Sequence, residues 1–284
     1  MTESLTVAPP VRLPSPRLPG QAVRWAHQVA AGLARPLTQE VATLVRPDAF
    51  RENPMWTNPP FDAGGMPVLL VGGLASTPQS LLPLHDWLVR LNFRPAFAPV
   101  RYGVDCGERT AVRVAEALAD LADANGRRCA LVAHSRGGHF ARAVAVRHPE
   151  LVECLVTLGS PVNRLLAVHP LLVVELWAIG LLGALGVPGL LRPTCLYGTC
   201  CRRLRDDLSA PSPAEVPFVS IYSRDDRVVD WRSCADPDAR HREVRTTHAG
   251  LVSSTAALTA VAEELHRVLQ APDSPSGARS GVAA

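Results

Sequence analysis

Ser135 is a serine whose neighbours fit it to act as a nucleophile. The apolar run 129–133 leads into His134-Ser135-Arg136-Gly137-Gly138, and a helical pattern follows at once. A sharp turn from strand to helix lifts such a serine above the edge of a sheet, provided that small neighbours let the two backbones pass. Ala133 and Gly137 meet this requirement, although Ala133 replaces the more usual glycine. The pattern predicts a nucleophile elbow rather than an ordinary serine in a turn.

An aspartate and then a histidine follow Ser135 along the chain. Serine is a weak nucleophile at neutral pH, so it needs a histidine to accept its proton and a carboxylate to orient that histidine. The segment IYSRDDRVVDW places Asp225 and Asp226 in a loop after an apolar run, and THAGL places His248 just before the last helical pattern. The order Ser, Asp, His is compatible with a catalytic triad.

Two other histidines bear on this assignment. His241 precedes a weak strand pattern and is the rival base. His134 adjoins the serine, but alternation along a strand turns its side chain to the opposite side, which predicts a packing or surface role.

Composition excludes several other chemistries. All 29 basic residues are arginine, so the chain has no lysine for a Schiff base or for a Walker-type phosphate loop. A formal net charge of +3 and 5% aromatic residues supply neither a phosphate-binding surface nor stacking rings, so we expect no nucleic-acid partner.

Alternating strand and helix patterns position these residues. Helical spacing marks 81–91, 114–121 and 258–268, and a further helix is predicted in 33–45. The strand candidates are Val68 to Val71, Ala96 to Val100, Ala130 to Ala133, Leu155 to Leu158, Phe218 to Tyr222 and, weakly, Glu243 to Arg245. The alternation predicts an α/β fold with a mostly parallel sheet, helices on both faces and reactive groups at the carboxyl ends of the strands.

The stretch 163–193 interrupts this alternation and is unusually apolar. Pro170 and Pro188 leave only about 17 residues between them, at the lower limit for a membrane span. A helical cap over the active site, at about 163–210, explains the same residues better, because its apolar face would be buried against substrate or in a membrane interface.

The seven cysteines predict no metal site. Cys195, Cys200 and Cys201 are clustered, but no second pair stands at a zinc-ligand spacing, and adjacent cysteines do not easily reach one tetrahedral ion. Cys106 and Cys234 follow strands at the same predicted sheet edge, which predicts a disulfide between them; two free thiols remain the alternative.

Several segments together resemble the lipase and esterase branch of the α/β-hydrolase fold, over about Pro67 to Gln270. PVLLVGGL at 67–74 resembles the first strand and oxyanion loop of that branch, with Gly72 where a histidine is usual. AHSRGG resembles the elbow, LGSPVN the end of the next strand, SRDDRVVDW the acid loop and HAGL the histidine loop.

The resemblance implies a role for each matching residue. Ser135 is the expected nucleophile, His248 the general base and then acid, and Asp226 the orienting carboxylate, with Asp225 as its competitor. The backbone amides of Leu74 and Arg136 are the expected oxyanion-hole donors. No metal or organic cofactor is expected for this chemistry.

The expected activity is therefore that of a serine esterase or lipase acting on apolar carboxylic esters through an acyl-enzyme. A thioesterase or acyltransferase with the same triad, and a non-catalytic binding module of the same fold, remain alternatives. We expect small-molecule or lipid ester substrates, a role in lipid metabolism, and a cytoplasmic location with peripheral membrane contact through the cap. The expected domains are an N-terminal extension with a packed helix (1–66), the hydrolase domain (67–270) and a disordered tail (271–284).

Overall fold

The protein is described here by a computed structural model, in which residues 50–100, 102–162 and 168–270 are described. The predicted helix within 33–45 and the predicted disordered tail from Ala271 lie outside these residues. The start of the described chain, 50–66, packs on the main domain through the buried side chains of Phe50 and Met66.

A single parallel sheet forms the centre of the fold. Its strands run in the order β2-β1-β3-β4-β5-β6, and every neighbouring pair is parallel. β1, β4 and β5 are buried along their whole lengths, as expected for parallel strands that are covered on both faces. The strands are β1 (Pro67–Val71), β2 (Arg94–Phe97), β3 (Cys129–His134), β4 (Val152–Leu158), β5 (Phe218–Tyr222) and β6 (Arg240–Glu243).

Helices cover both faces of this sheet. The alternation of side chains along β1 sends Val68 and Leu70 to one core, with α2 and α8, and Leu69 and Val71 to the other, with α3 and α4. The predicted parallel α/β architecture is thereby confirmed. The helices are α1 (Pro54–Thr57), α2 (Leu82–Arg90), α3 (Gly107–Asn125), α4 (Gly137–Arg147), α5 (Pro170–Ala184), α6 (Pro193–Tyr197), α7 (Arg202–Ser209) and α8 (Thr255–Leu269).

The two outer strands lie earlier in the sequence than predicted. β2 was expected at 96–100 but pairs with β1 from Arg94 onwards, and Pro99, which has no amide hydrogen, lies beyond its end. β6 was expected at 243–245 but consists of Arg240–Glu243, whose residues are mostly exposed. An edge strand is held by backbone hydrogen bonds and buries few apolar side chains. The apolar pattern of the sequence therefore does not show where such a strand begins and ends.

Between β4 and β5 the described chain forms α5, α6 and α7. Arg147 lies in α4, the helix that follows Ser135, and forms an ion pair with Asp207 of α7 at 2.6 Å. The same guanidinium binds Glu108 of α3 at 2.8 Å. Arg142 of α4 donates to the carbonyl of Ala210, just after α7, at 2.9 Å. α7 therefore packs against the helix that follows Ser135, and the action of this segment as a cap stays a prediction.

The surface of α5 carries exposed apolar side chains. Val174 is 61% exposed and Leu181 59%, and Leu185, just after the helix, is 82% exposed. Among the described residues, none of the helices combines the length and apolar character needed to cross a bilayer.

Candidate active site

Ser135 occupies a strained turn between β3 and α4. Its φ of 55° lies in the left-handed region, which a residue other than glycine adopts at a cost of about 1–3 kcal/mol. Its amide donates to the carbonyl of Leu158, at the end of β4, at 2.9 Å. A Cβ on Gly137 would lie 2.3 Å from the carbonyl oxygen of Val71, so only glycine fits at that position. This is the geometry that the sequence pattern predicts for an elbow.

Asp226 and His248 meet at the carboxyl ends of the strands. Asp226 Oδ2 lies 2.7 Å from His248 Nδ1, and the two side chains are only 2% and 9% exposed. The amides of Val228 and Val229 donate to the other carboxylate oxygen, Oδ1, at 2.8 and 2.9 Å. This carboxylate is therefore fixed in place and directed at one nitrogen of the imidazole ring.

The two rival residues lie elsewhere. The side chain of Asp225 is 54% exposed and contacts Arg245 at 3.4 Å, which is a weak surface pair. His241 lies on edge strand β6, where its Nε2 is 2.7 Å from the carbonyl oxygen of Asp236. Of the two adjacent aspartates, only Asp226 has the position needed to orient His248.

His134 contacts His248, although the alternation of side chains along a strand predicts that its ring points to the opposite side. The two imidazole rings lie 4.7 Å apart between centroids, and His134 Nε2 is 3.1 Å from the carbonyl oxygen of His248. Burial, together with the neighbouring charge on His248, lowers the pKa of His134 to about 3. His134 thus stays neutral near pH 7 and supports the ring and backbone of His248. In the sequence, the position of His134 directly before Ser135 is the signal that could have indicated this contact.

The glycine loop after β1 packs against the elbow. A Cβ on Gly73 would lie 2.8 Å from Ser135 Cβ and 2.9 Å from the amide nitrogen of Arg136, so a side chain there would collide with backbone. Across the residues that the structure describes, the amides of Leu74 and Arg136 have no hydrogen-bond acceptor. Both residues line the same cavity as Ser135. Two amides without acceptors beside a serine are what an oxyanion hole requires.

The cavity beside Ser135 is mostly apolar. His139, in α4, also lines it; burial lowers the pKa of this histidine to about 4, and its Nε2 is 3.1 Å from the carbonyl oxygen of Pro161. Many of the other side chains that line the cavity come from the segment between β4 and β5 or from the acid loop. The aliphatic side chains from these two segments are Val168, Leu172, Leu176, Leu191, Leu196, Leu204 and Val228.

The predicted disulfide between Cys106 and Cys234 is wrong. All seven cysteines are free thiols. Cys106 lies against Cys201, with the two sulfur atoms 3.5 Å apart, whereas Cys234 packs with Tyr222 and Val229 below the acid loop. Two loops at the same edge of a sheet can follow strands that are not neighbours and so lie far apart. The chain after β4 instead brings Cys201 next to Cys106.

Two further cysteines are buried in the sheet. Burial raises the pKa of Cys129, in β3, and of Cys154, in β4, to about 12. Both thiols are therefore unreactive core residues.

The architecture and the site geometry define an α/β-hydrolase fold, and comparison with solved structures supports this assignment. The chain is similar to the mature form of lipase BlEst2 from Bacillus licheniformis, with a TM-score of 0.55 and 17% sequence identity over 72% of this chain and 94% of that one. It is also similar to a monoacylglycerol lipase from Paleococcus ferrophilus, with a TM-score of 0.51 and 13% identity over 73% and 97% of the two chains.

A soluble variant of the monoglyceride lipase from Saccharomyces cerevisiae, in complex with a substrate analog, aligns with a TM-score of 0.50 and 15% identity over 72% of this chain and 86% of that one. No protein-family model matches the sequence, and a search of curated proteins found no match. At such low identity, the structural similarity shows that the chain has the α/β-hydrolase fold, as its sequence motifs predict.

Proposed function

We propose that the protein is a serine hydrolase that cleaves carboxylic esters with apolar acyl groups through an acyl-enzyme. The observation that carries this proposal is the buried pair of Asp226 and His248 at 2.7 Å. These residues come from separate loops, and His248 also contacts His134, the residue directly before Ser135. A buried carboxylate aimed at Nδ1 of a histidine is the arrangement that prepares Nε2 to accept a proton from serine.

The proposed reaction has two stages. Ser135 Oγ attacks the ester carbonyl as His248 takes its proton, and Asp226 stabilises the resulting imidazolium. The negative charge on the carbonyl oxygen is received by the amides of Leu74 and Arg136. His248 then donates its proton to the leaving alcohol, which gives an acyl-enzyme on Ser135. In the second stage, His248 activates a water molecule that releases the acid and restores the serine.

The cavity lining supports an apolar acyl group. Its aliphatic side chains would bury a hydrocarbon chain at roughly 25 cal/mol per Å² of apolar area removed from water. The similar solved structures described as lipases are consistent with a lipid ester. The exposed apolar surface of α5 would face a lipid interface, with the protein in the cytoplasm and bound peripherally to the membrane.

Hydrolysis of a chain-length series of nitrophenyl esters tests the proposed function. Wild-type protein should turn over these esters, and Ser135→Ala and His248→Ala should each lose activity by about 10⁴-fold or more. His241→Ala, which removes the rival histidine, is the matched control and should retain wild-type rates. Retained activity in the Ser135 variant, or absence of hydrolysis at every chain length, would refute the proposal.

The same assay with a lipid interface tests the role of the α5 surface. Adding emulsified ester or vesicles should raise the wild-type rate, and Leu185→Ser should reduce that increase without changing the rate on a soluble ester. Val89→Ser, at a residue that is 51% exposed on α2, is the matched control and should leave the increase intact. An equal effect of both substitutions would contradict the assignment of this surface.

A further inference from the structure

Four cysteines from two distant parts of the chain meet beside the cavity. Cys106 is the N-cap residue of α3, Cys195 lies in α6, and Cys200 and Cys201 lie in the 3₁₀ turn Thr199–Cys201 that follows α6. Their four sulfur atoms all lie within 4.8 Å of one another. We propose that these cysteines bind one zinc ion that fastens the helices after β4 to the hydrolase core.

The distances between the sulfur atoms fit a tetrahedral zinc site. Zinc binds thiolate sulfur at about 2.3 Å, which places the sulfur atoms of a tetrahedral site about 3.8 Å apart. Cys106 and Cys201 are separated by 3.5 Å and Cys200 and Cys201 by 3.8 Å, so small rotations of the side chains suffice. The adjacent cysteines, which counted against a metal site at the level of sequence, therefore direct their sulfur atoms to neighbouring corners of one tetrahedron.

The surroundings suit a negatively charged complex. Four thiolates and one Zn²⁺ carry a net charge of −2. The half-buried guanidinium of Arg136 reaches the carbonyl oxygen of Asp105, next to Cys106, at 3.4 Å, and Arg109 binds the Asp105 carboxylate at 2.8 Å. The charge of the Asp105 carboxylate is thus offset by Arg109, and Arg136 provides a positive charge near the cluster.

Hydrogen bonds and exposure within the cluster also fit metal binding. The amide of Arg192 donates to Cys195 Sγ at 3.3 Å, as an amide does to a metal-bound thiolate. The thiol of Cys200 donates to the carbonyl of Thr194 at 3.3 Å and would lose this proton when zinc binds. Cys200 is exposed, so an ion can enter from solvent on that side.

Four protein ligands leave no open position, so the zinc would be structural rather than catalytic. It would connect the start of α3 with α6 and the turn after it. Cys195 and Cys201 also line the cavity that contains Ser135. The ion would therefore fix one wall of the proposed substrate site, although zinc binding itself does not depend on the proposed esterase activity.

Metal and thiol analysis of the intact protein tests the proposal. Protein purified without chelator should contain one zinc ion per chain by mass spectrometry of metals, and all seven cysteines should react as thiols after denaturation without reductant. Removal of zinc with a chelator should lower Tm, and added zinc should restore it. Reduced protein that takes up no zinc, or protein with disulfides among these four cysteines in place of zinc, would overturn the proposal. Iron at the same stoichiometry would overturn the choice of zinc.

Two substitutions and one control locate the site. Cys106→Ser places a favoured N-cap residue at the start of α3, and Cys200→Ser changes an exposed side chain, so both variants should fold. Each should lose zinc, whereas Cys234→Ala, at a buried thiol outside the cluster, should retain one ion per chain. Co²⁺ added to zinc-free wild-type protein should give the absorption of a tetrahedral thiolate complex, with an altered spectrum for Cys200→Ser. Zinc retained equally by all variants would refute this assignment.

Discussion

Replacing Asp226 by asparagine tests the most specific feature of the proposed site. The amides of Val228 and Val229 both donate to Oδ1 of this carboxylate, so the oxygen of an asparagine would take that position. Its NH₂ group would then face His248 Nδ1, where Oδ2 now lies at 2.7 Å. A donor there forces Nδ1 to act as an acceptor and moves the ring proton to Nε2, which faces away from Asp226.

The resulting tautomer of His248 cannot accept a proton from serine. We expect kcat/KM on a soluble nitrophenyl ester to fall about 10⁴-fold, which corresponds to about 5 kcal/mol of lost transition-state stabilisation. Asp225→Asn removes only an exposed contact at 3.4 Å, worth about 0–1 kcal/mol, and should leave activity within about twofold of wild type. Circular dichroism spectra should show that both variants fold. A comparable loss in both variants, or a loss below about tenfold for Asp226→Asn, would refute this reasoning.

Two further predictions concern the oxyanion loop and stability at low pH. Gly73→Ala would push its Cβ into Ser135 and the amide of Arg136, so kcat should fall about 10²–10³-fold, whereas Gly180→Ala, with its nearest contacts at 3.5 Å, should leave kcat unchanged. An equal effect on kcat would contradict the proposed loop contact. The folded-state pKa of His139, about 4, lies below its ordinary value of 6.5, so the unfolded state binds the proton first and stability is lost as pH falls from about 6.5 to 4. His139→Gln should reduce this loss, measured by urea unfolding, by up to about 3 kcal/mol, and an unchanged pH dependence would contradict the assignment.

Much of the fold could be predicted from apolar periodicity. The central strands are mostly apolar, and Phe218–Tyr222 was predicted with the same bounds that the structure shows. Gly126, with φ of 62°, ends α3 where the Asn-Gly pair indicates. The edge strands β2 and β6 were displaced because backbone pairing, rather than burial, determines where they lie.

The site could be predicted in part. Chain order and motif spacing indicate Ser135, the adjacent pair Asp225 and Asp226, and His248, and the structure brings Asp226 and His248 into contact. Spacing alone does not separate Asp225 from Asp226, because the two amides that hold Asp226 become visible only in the folded loop. The contact between His134 and His248 is likewise tertiary.

The cysteine cluster escaped prediction for a related reason. Its fourth member, Cys106, lies far from Cys195 in sequence and joins the group only through the packing of α6 and the following turn against the start of α3. No short spacing rule covers such a pair. The disulfide expected between Cys106 and Cys234 failed because a shared sheet edge does not determine lateral distance.

The most direct test of the central claim is to map the residue that reacts with a fluorophosphonate. Such a probe forms a stable adduct only with a serine that an adjacent base activates. Peptide mass spectrometry of the labelled wild-type protein should find one adduct, on Ser135, and His248→Ala should label far more slowly. An adduct on another serine, or equal labelling of Ser135 in the wild-type and His248→Ala proteins, would contradict the account.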